Sequence, residues 1–190
     1  MNKEKMLEVA NLIEKAEPEK FHMSAWFAKL IPASEHGDYD YFDGWFEADD
    51  LVPQYVDNTV KAEDLLSAET LNLTCDTTAC IAGWVIANEY FNGNTSAYDE
   101  CTKNNLAFAY IDKVASAILG INTLQAKRLF YCDSDSIWVE VADDYDLSFD
   151  TEIPETWNIH PKHAADVLRR IAGGELTLKE CNCSGCQSEE

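Results

Sequence analysis

The stretch Cys75-Asp76-Thr77-Thr78-Ala79-Cys80-Ile81-Ala82-Gly83-Trp84-Val85-Ile86-Ala87 decides how this chain is read. From residue 79 to residue 87 it is apolar apart from Gly83, and an apolar run with no polar face predicts a helix covered by protein on every side. Asp76 or Thr77 can accept from the orphan amides of a first turn, so the helix is expected to begin there. Asn92-Gly93 is its expected end. Gly83 lowers helix propensity, and close approach of another helix is the expected reason for its presence. The run is about half the roughly 20 residues that a bilayer crossing needs, so it predicts a buried helix and no membrane span.

Helices are expected on both sides of this one. Met6, Val9, Ala10 and Ile13 recur at spacings of three and four near the start, with Glu4, Lys5, Asn11 and Lys15 off that face and Pro18 closing the segment. Phe21, Met23, Trp26, Phe27, Leu30 and Ile31 follow, and Ser24 is placed to cap a brief helix that Pro32 stops. A helical pattern also fits residues 60–66. Phe108, Ile111, Ala115 and Ile118 line one side of a long helix over residues 106–119, with Gly120 in the left-handed position after it. Asn122 or Thr123 caps another helix, through Leu124, Ala126, Leu129 and Phe130. Pro161 suits the first turn of a last helix, which carries Ala164, Val167, Leu168 and Ile171 and ends at Gly173-Gly174.

With 190 residues, 46% of them apolar and 11% aromatic, the chain can bury one substantial core. Residues 1–15 alternate charged and apolar side chains, which predicts a cytoplasmic protein without a signal peptide. Seven cysteines, an odd number, in a reducing compartment predict free or metal-bound thiols rather than a disulfide framework.

Charge is the unusual feature. The net charge is -21, with 35 acidic and 14 basic residues. Residues 35–69 hold eleven Asp or Glu against one Lys, and residues 133–155 hold nine with no Lys or Arg; elsewhere acids and bases nearly balance. Such segregation creates a directional negative field that attracts basic partners and repels nucleic acid and anionic membrane. A halophile-like surface is the lesser alternative, and a merely solvated surface is the bland one. Against the bland reading, aromatics are threaded among the acids. The expected partner-binding residues are Asp38, Tyr39, Asp40, Tyr41, Phe42, Asp43, Trp45, Phe46, Glu47, Asp49 and Asp50, joined by Asp143, Asp144 and Asp146 from the second segment. Aromatics anchor interfaces, and a charged rim speeds encounter and rejects wrong partners. Duplex DNA carries one charge per about 1.7 Å, so roughly 20 carboxylates laid in two rows would imitate about ten base pairs.

Other chemistry is less well supported. Cys75 and Cys80 lie at a helix start, where a thiol's pKa falls, yet the apolar run after Cys80 favours a small buried hydrophobe. Cys181, Cys183 and Cys186 would need a fourth ligand, from Cys101, Cys132 or a His, to hold zinc. His160 and His163 have ligand spacing but no Glu between them, and Pro161 explains the local sequence as a helix boundary. Leu119-Gly120-Ile121-Asn122-Thr123 resembles a helix-turn-helix turn, yet Lys127 and Arg128 sit in a negative field unsuited to phosphate. There is no phosphate-cradling Gly loop and no Gly-x-Ser-x-Gly elbow.

The segments Phe21-His22-Met23-Ser24-Ala25-Trp26-Phe27, Cys75-x-Thr77-x-x-Cys80-Ile81-Ala82-Gly83-Trp84, Leu119-Gly120, Gln125-Ala126 and Leu129-Phe130, with the closing helix over residues 164–174, resemble small uncharacterised bacteriophage and bacterial proteins. Those share a Cys-Gly-Thr-x-x-Cys-x-Ala-Gly-Trp signature. The resemblance spans about three-fifths of the chain and implies an all-α fold, not an activity. Asp76 stands where those proteins have Gly, and the acidic, aromatic stretch departs from their pattern.

The expected architecture is a mainly α, orthogonal helical bundle of five or six helices. Residues 1–174 form a single domain with an acidic insertion at 33–74, and residues 175–190 form a flexible Cys-containing tail. The expected function is that of a non-enzymatic, phage-encoded protein of the host cytoplasm that binds and inhibits or redirects a basic host protein, a nucleic-acid-binding one in particular. It uses no cofactor or metal and contacts neither nucleic acid nor membrane directly. The alternative is a thiol-dependent metal-binding or redox module.

Overall fold

The central apolar run folds as a helix from Ile81 to Phe91, in which every residue from Ile81 to Asn88 is buried. The computed structural model describes residues 1–23, 26–35, 51–55, 60–74, 77–103, 108–131, 136–147 and 159–179. Among them the protein is mainly helical. The helices are α1 (Lys3–Ile13), α2 (Ala62–Leu65), α3 (Ile81–Phe91), α4 (Ser96–Lys103), α5 (Phe108–Leu119), α6 (Thr123–Phe130), α7 (Ile137–Glu140) and α8 (Pro161–Gly173). None of the described helices is long and apolar enough to cross a membrane.

The expected helix ends are largely present. Asn122 and Gln125 form a reciprocal capping box at α6, satisfying two amides that would otherwise lack partners. Pro161 occupies the first turn of α8, and His160 caps it by accepting the Lys162 amide on Nδ1 at 3.2 Å. Gly174 ends α8 with φ +84°, a conformation only glycine adopts cheaply.

Two starts differ from expectation. Helix α3 begins one turn later than Asp76 or Thr77 would set it, because Thr77 and Thr78 form a short strand and Cys80 becomes the N-cap, without a side-chain cap bond. The brief helix expected before Pro32 is replaced by strand β1 (Ala28–Pro32). It pairs antiparallel with β2 (Leu51–Tyr55) on one side and with Thr77–Thr78 on the other. After a small hairpin of β3 (Leu66–Ser67) and β4 (Asn72–Leu73), Thr77–Thr78 is β5, and the sheet order is β2-β1-β5. Pro53, which lacks an amide, lies on β2, the outer strand of the sheet among the described residues.

The core is shared by elements far apart in sequence. Helices α1 and α8 pack together through Met6, Val9, Ala10 and Ile13 against a face bearing Ala164, Val167, Leu168 and Ile171. Arg169 ties their surfaces, giving both oxygens of Glu14 and Oδ1 of Asn11 bonds of 2.8–2.9 Å. Helix α3 packs on α1, α4 and α5. Leu65, Leu66 and Leu73, from the expected insertion, and Leu178, from the expected tail, lie in the same core.

The Trp84 indole N–H donates to the Lys20 carbonyl at 3.2 Å, and the Lys20 ammonium donates to the Thr74 carbonyl at 2.6 Å. A lysine from the first loop is thereby built into the wall beside α3. Gly83 admits the backbone of Trp26: a Cβ there would lie 2.0 Å from the Trp26 carbonyl oxygen. The close approach inferred from sequence is present, but to a loop backbone and not to another helix.

Candidate functional site

The residues expected to bind a partner fall into two groups. Those from Asp38 to Asp50 lie outside the described residues, but the chain on either side is placed. Pro32 and Leu51 are register partners at the end of the β1–β2 pair, so the two ends of the acidic, aromatic stretch leave the sheet side by side. Adjacent strands lie about 5 Å apart. The sheet therefore fixes where this stretch joins the helical body.

Of the second group, Asp143, Asp144 and Asp146 are all exposed, on and just after a short 3-10 turn at Ala142–Asp144. Asp146 adopts φ +54°, a left-handed conformation that Asp tolerates better than most residues. Asp143 and Asp146 face solvent. Asp144 instead holds Nη1 of Arg170 at 2.8 Å, and the Tyr145 hydroxyl accepts from the same nitrogen at 3.2 Å. Tyr145 donates to Asp166 and stacks on His163, with ring centroids 4.7 Å apart. Burial and the neighbouring Asp166 push the Tyr145 hydroxyl above its ordinary pKa. Burial and His160 hold His163 below its own. The turn bearing these acids is thus pinned to α8, which presents two of the three carboxylates outward and neutralises the third.

All three arginines, and Lys5, are committed to carboxylates nearby. Lys5 bonds Glu8 and Glu89, Arg128 bonds Glu140, Arg169 bonds Glu14 and Arg170 bonds Asp144. With 35 acids against 14 bases, each such pairing leaves the acidic excess elsewhere uncompensated.

The thiol reading meets a different fate. Cys80 and Cys101 are both free and buried. Although the Cys80 sulfur accepts from backbone amides at the start of α3, burial dominates and pushes the thiol up to about 12; Cys101 is pushed up to about 12 by burial as well. A thiol held protonated by burial is a poor nucleophile in the folded chain. No group of three or more His, Cys, Asp or Glu capable of holding a metal occurs among the described residues, and Cys75, Cys132, Cys181, Cys183 and Cys186 lie outside them. His160 and His163 do come together, with centroids 5.7 Å apart, but one caps α8 and the other stacks on Tyr145.

Two further features emerge only in the folded chain. One is a cleft of about 580 Å³ between α4 and α5, floored by Ala97, Val114, Ala117 and Ile118. The other is Asp112, an acid on α5 that is 8% exposed. Helical periodicity could have placed Asp112 on the inward side, since the buried Ala115 and Leu119 lie three and seven residues after it.

Comparison with known proteins finds no matching family model, no matching curated protein and no matching solved structure.

Proposed function

We propose that this chain is a non-enzymatic interaction protein whose acidic, aromatic surface binds and inhibits or redirects a basic protein. In this reading the helices serve as an orthogonal bundle that carries the two acidic segments, and the aromatics from Tyr39 to Phe46 anchor the partner while the carboxylates steer it. The protein acts in the cytoplasm of a bacterial host, as a phage-encoded product, and its partner is a nucleic-acid-binding protein whose basic groove accepts the carboxylates in place of phosphates.

The observation that supports this most is the segregation of charge. Two segments hold most of the acidic excess of a chain of net charge -21, while the arginines placed by the structure are each tied to a nearby carboxylate. A negative field with little local compensation is directional, and its natural complement is a basic surface.

The test is capture of proteins from host lysate on immobilised protein at low and moderate salt, with and without added duplex DNA. A nucleic-acid-binding protein retained at low salt and displaced by duplex supports the reading. Retention indifferent to both salt and duplex contradicts it.

A further inference from the structure

Asp112 sits on α5 between two buried residues, Ile111 and Ala115 on the same helix, and is itself more than nine-tenths buried. An ionisable side chain in that position is normally met by donors on its oxygens. Here Oδ2 accepts from the Tyr131 hydroxyl at 3.5 Å, the long limit of a hydrogen bond, and Oδ1 is buried with no partner among the described residues. The other groups acting across this site are Lys127 on α6, through its charge, and the Cys80 thiol at the start of α3, which feels the carboxylate in turn. Helices α1 and α4 also pack on α5, and none of their acids or bases acts on the carboxyl. Burial outweighs the downward pull of Tyr131 and Lys127 and pushes Asp112 from 3.8 up to about 6.

Tyr131 connects this acid to the sheet. Its ring meets Trp26 edge-on at 5.6 Å between centroids, and Trp26 meets Phe130 at 6.4 Å. The carbonyl of Trp26 is the group pressed against Gly83, and β1 begins two residues later, at Ala28. A continuous set of contacts therefore runs from Asp112 through Tyr131 and Trp26 to the strand from which the acidic, aromatic stretch departs.

We propose that Asp112 is a proton-operated switch: its neutral form lets Tyr131 and Trp26 close over α5, and its ionised form draws water to the unpartnered oxygen and loosens the Trp26 turn from α3 and α6. A neutral carboxyl both donates and accepts and is tolerable in an apolar setting, whereas a carboxylate holding one long bond is not. The folded chain binds this proton more tightly than the unfolded chain does. Its contribution to stability is therefore complete below about pH 4 and is lost as pH rises through about 6.

Because many carboxylates titrate in this chain, the test is a difference between wild type and Asp112→Asn. Urea midpoints measured at pH 4.5 and pH 8 should show the variant more stable than wild type at pH 8, with the advantage shrinking towards pH 4.5. A variant less stable at both pH values, or a difference independent of pH, overturns the switch. If the variant does not fold, carbon-13 titration of the Asp112 carboxyl in the wild-type protein decides instead. A midpoint near 6, shared by resonances of Tyr131 and Trp26, is expected; a midpoint near 4, or rings that do not respond, overturns it.

Discussion

The carbonyl oxygen of Trp26 occupies the space that a side chain at position 83 would need, 2.0 Å from an ideal Cβ on Gly83. The neighbouring Ala79 Cβ would be only 2.7 Å away. One missing methyl group therefore allows the loop that leads into β1 to lie directly on the most buried helix.

Gly83→Ala tests this contact against helix propensity. Alanine gains up to about 1 kcal/mol in a helix interior, while over-packing costs on the order of 1–3 kcal/mol, and here the obstacle is backbone that cannot rotate aside. A net loss of stability, read as a lower denaturant midpoint, is expected. A gain would mean that the Trp26 loop does not sit on α3.

Trp84 is 1% exposed, and its indole N–H is bonded to Lys20. Trp84→Ala should cost on the order of 3–5 kcal/mol, as large aromatic truncations in cores do. Trp84→Phe keeps most of the apolar volume and removes the bond, so it should cost less. Equal stability of Trp84→Ala and wild type in urea denaturation would contradict the burial of α3.

The two buried thiols should be inert in the native state. With Cys80 and Cys101 both pushed up to about 12, almost no thiolate exists at pH 8. Iodoacetamide followed by peptide mass analysis should leave both unlabelled in native protein and labelled in denaturant. Native labelling of Cys80 would revive the nucleophile reading. Elemental analysis should find no stoichiometric zinc, and one equivalent per chain would favour the metal-binding alternative.

The helix ends were the most legible part of the sequence, because caps are short local signals. The Asn122-Thr123 pair, Pro161 and the Gly173-Gly174 pair each declare a boundary within a few residues, and each lies at a helix end in the structure, with Asn122 as the cap. Strands β1 and β5 were not legible. Five residues reading Ala-Lys-Leu-Ile-Pro and two threonines are too short for a period-two pattern to emerge, and their pairing joins positions about fifty residues apart. The same holds for the site. The acidic excess and the interleaved aromatics are compositional and visible at once, whereas the pinning of Asp144 and Tyr145 by α8 depends on Arg170 and Asp166, more than twenty residues downstream. The burial of Lys20 was hidden for the same reason, since its partner is the carbonyl of Thr74.

Whether the acidic, aromatic stretch binds the partner is most directly measured by association and dissociation rates of two variant sets against the captured partner. One set replaces Asp38, Asp40, Asp43, Asp49 and Asp50 by Asn; the other replaces Trp45 and Phe46 by Ala. Loss of carboxylates should chiefly slow association, with a weaker salt dependence, because screening already limits the field to about 8 Å at physiological ionic strength. Loss of the aromatic anchors should chiefly hasten dissociation and leave the salt dependence unchanged. Rates unchanged in both sets would show that these residues are only solvated surface and would contradict the account.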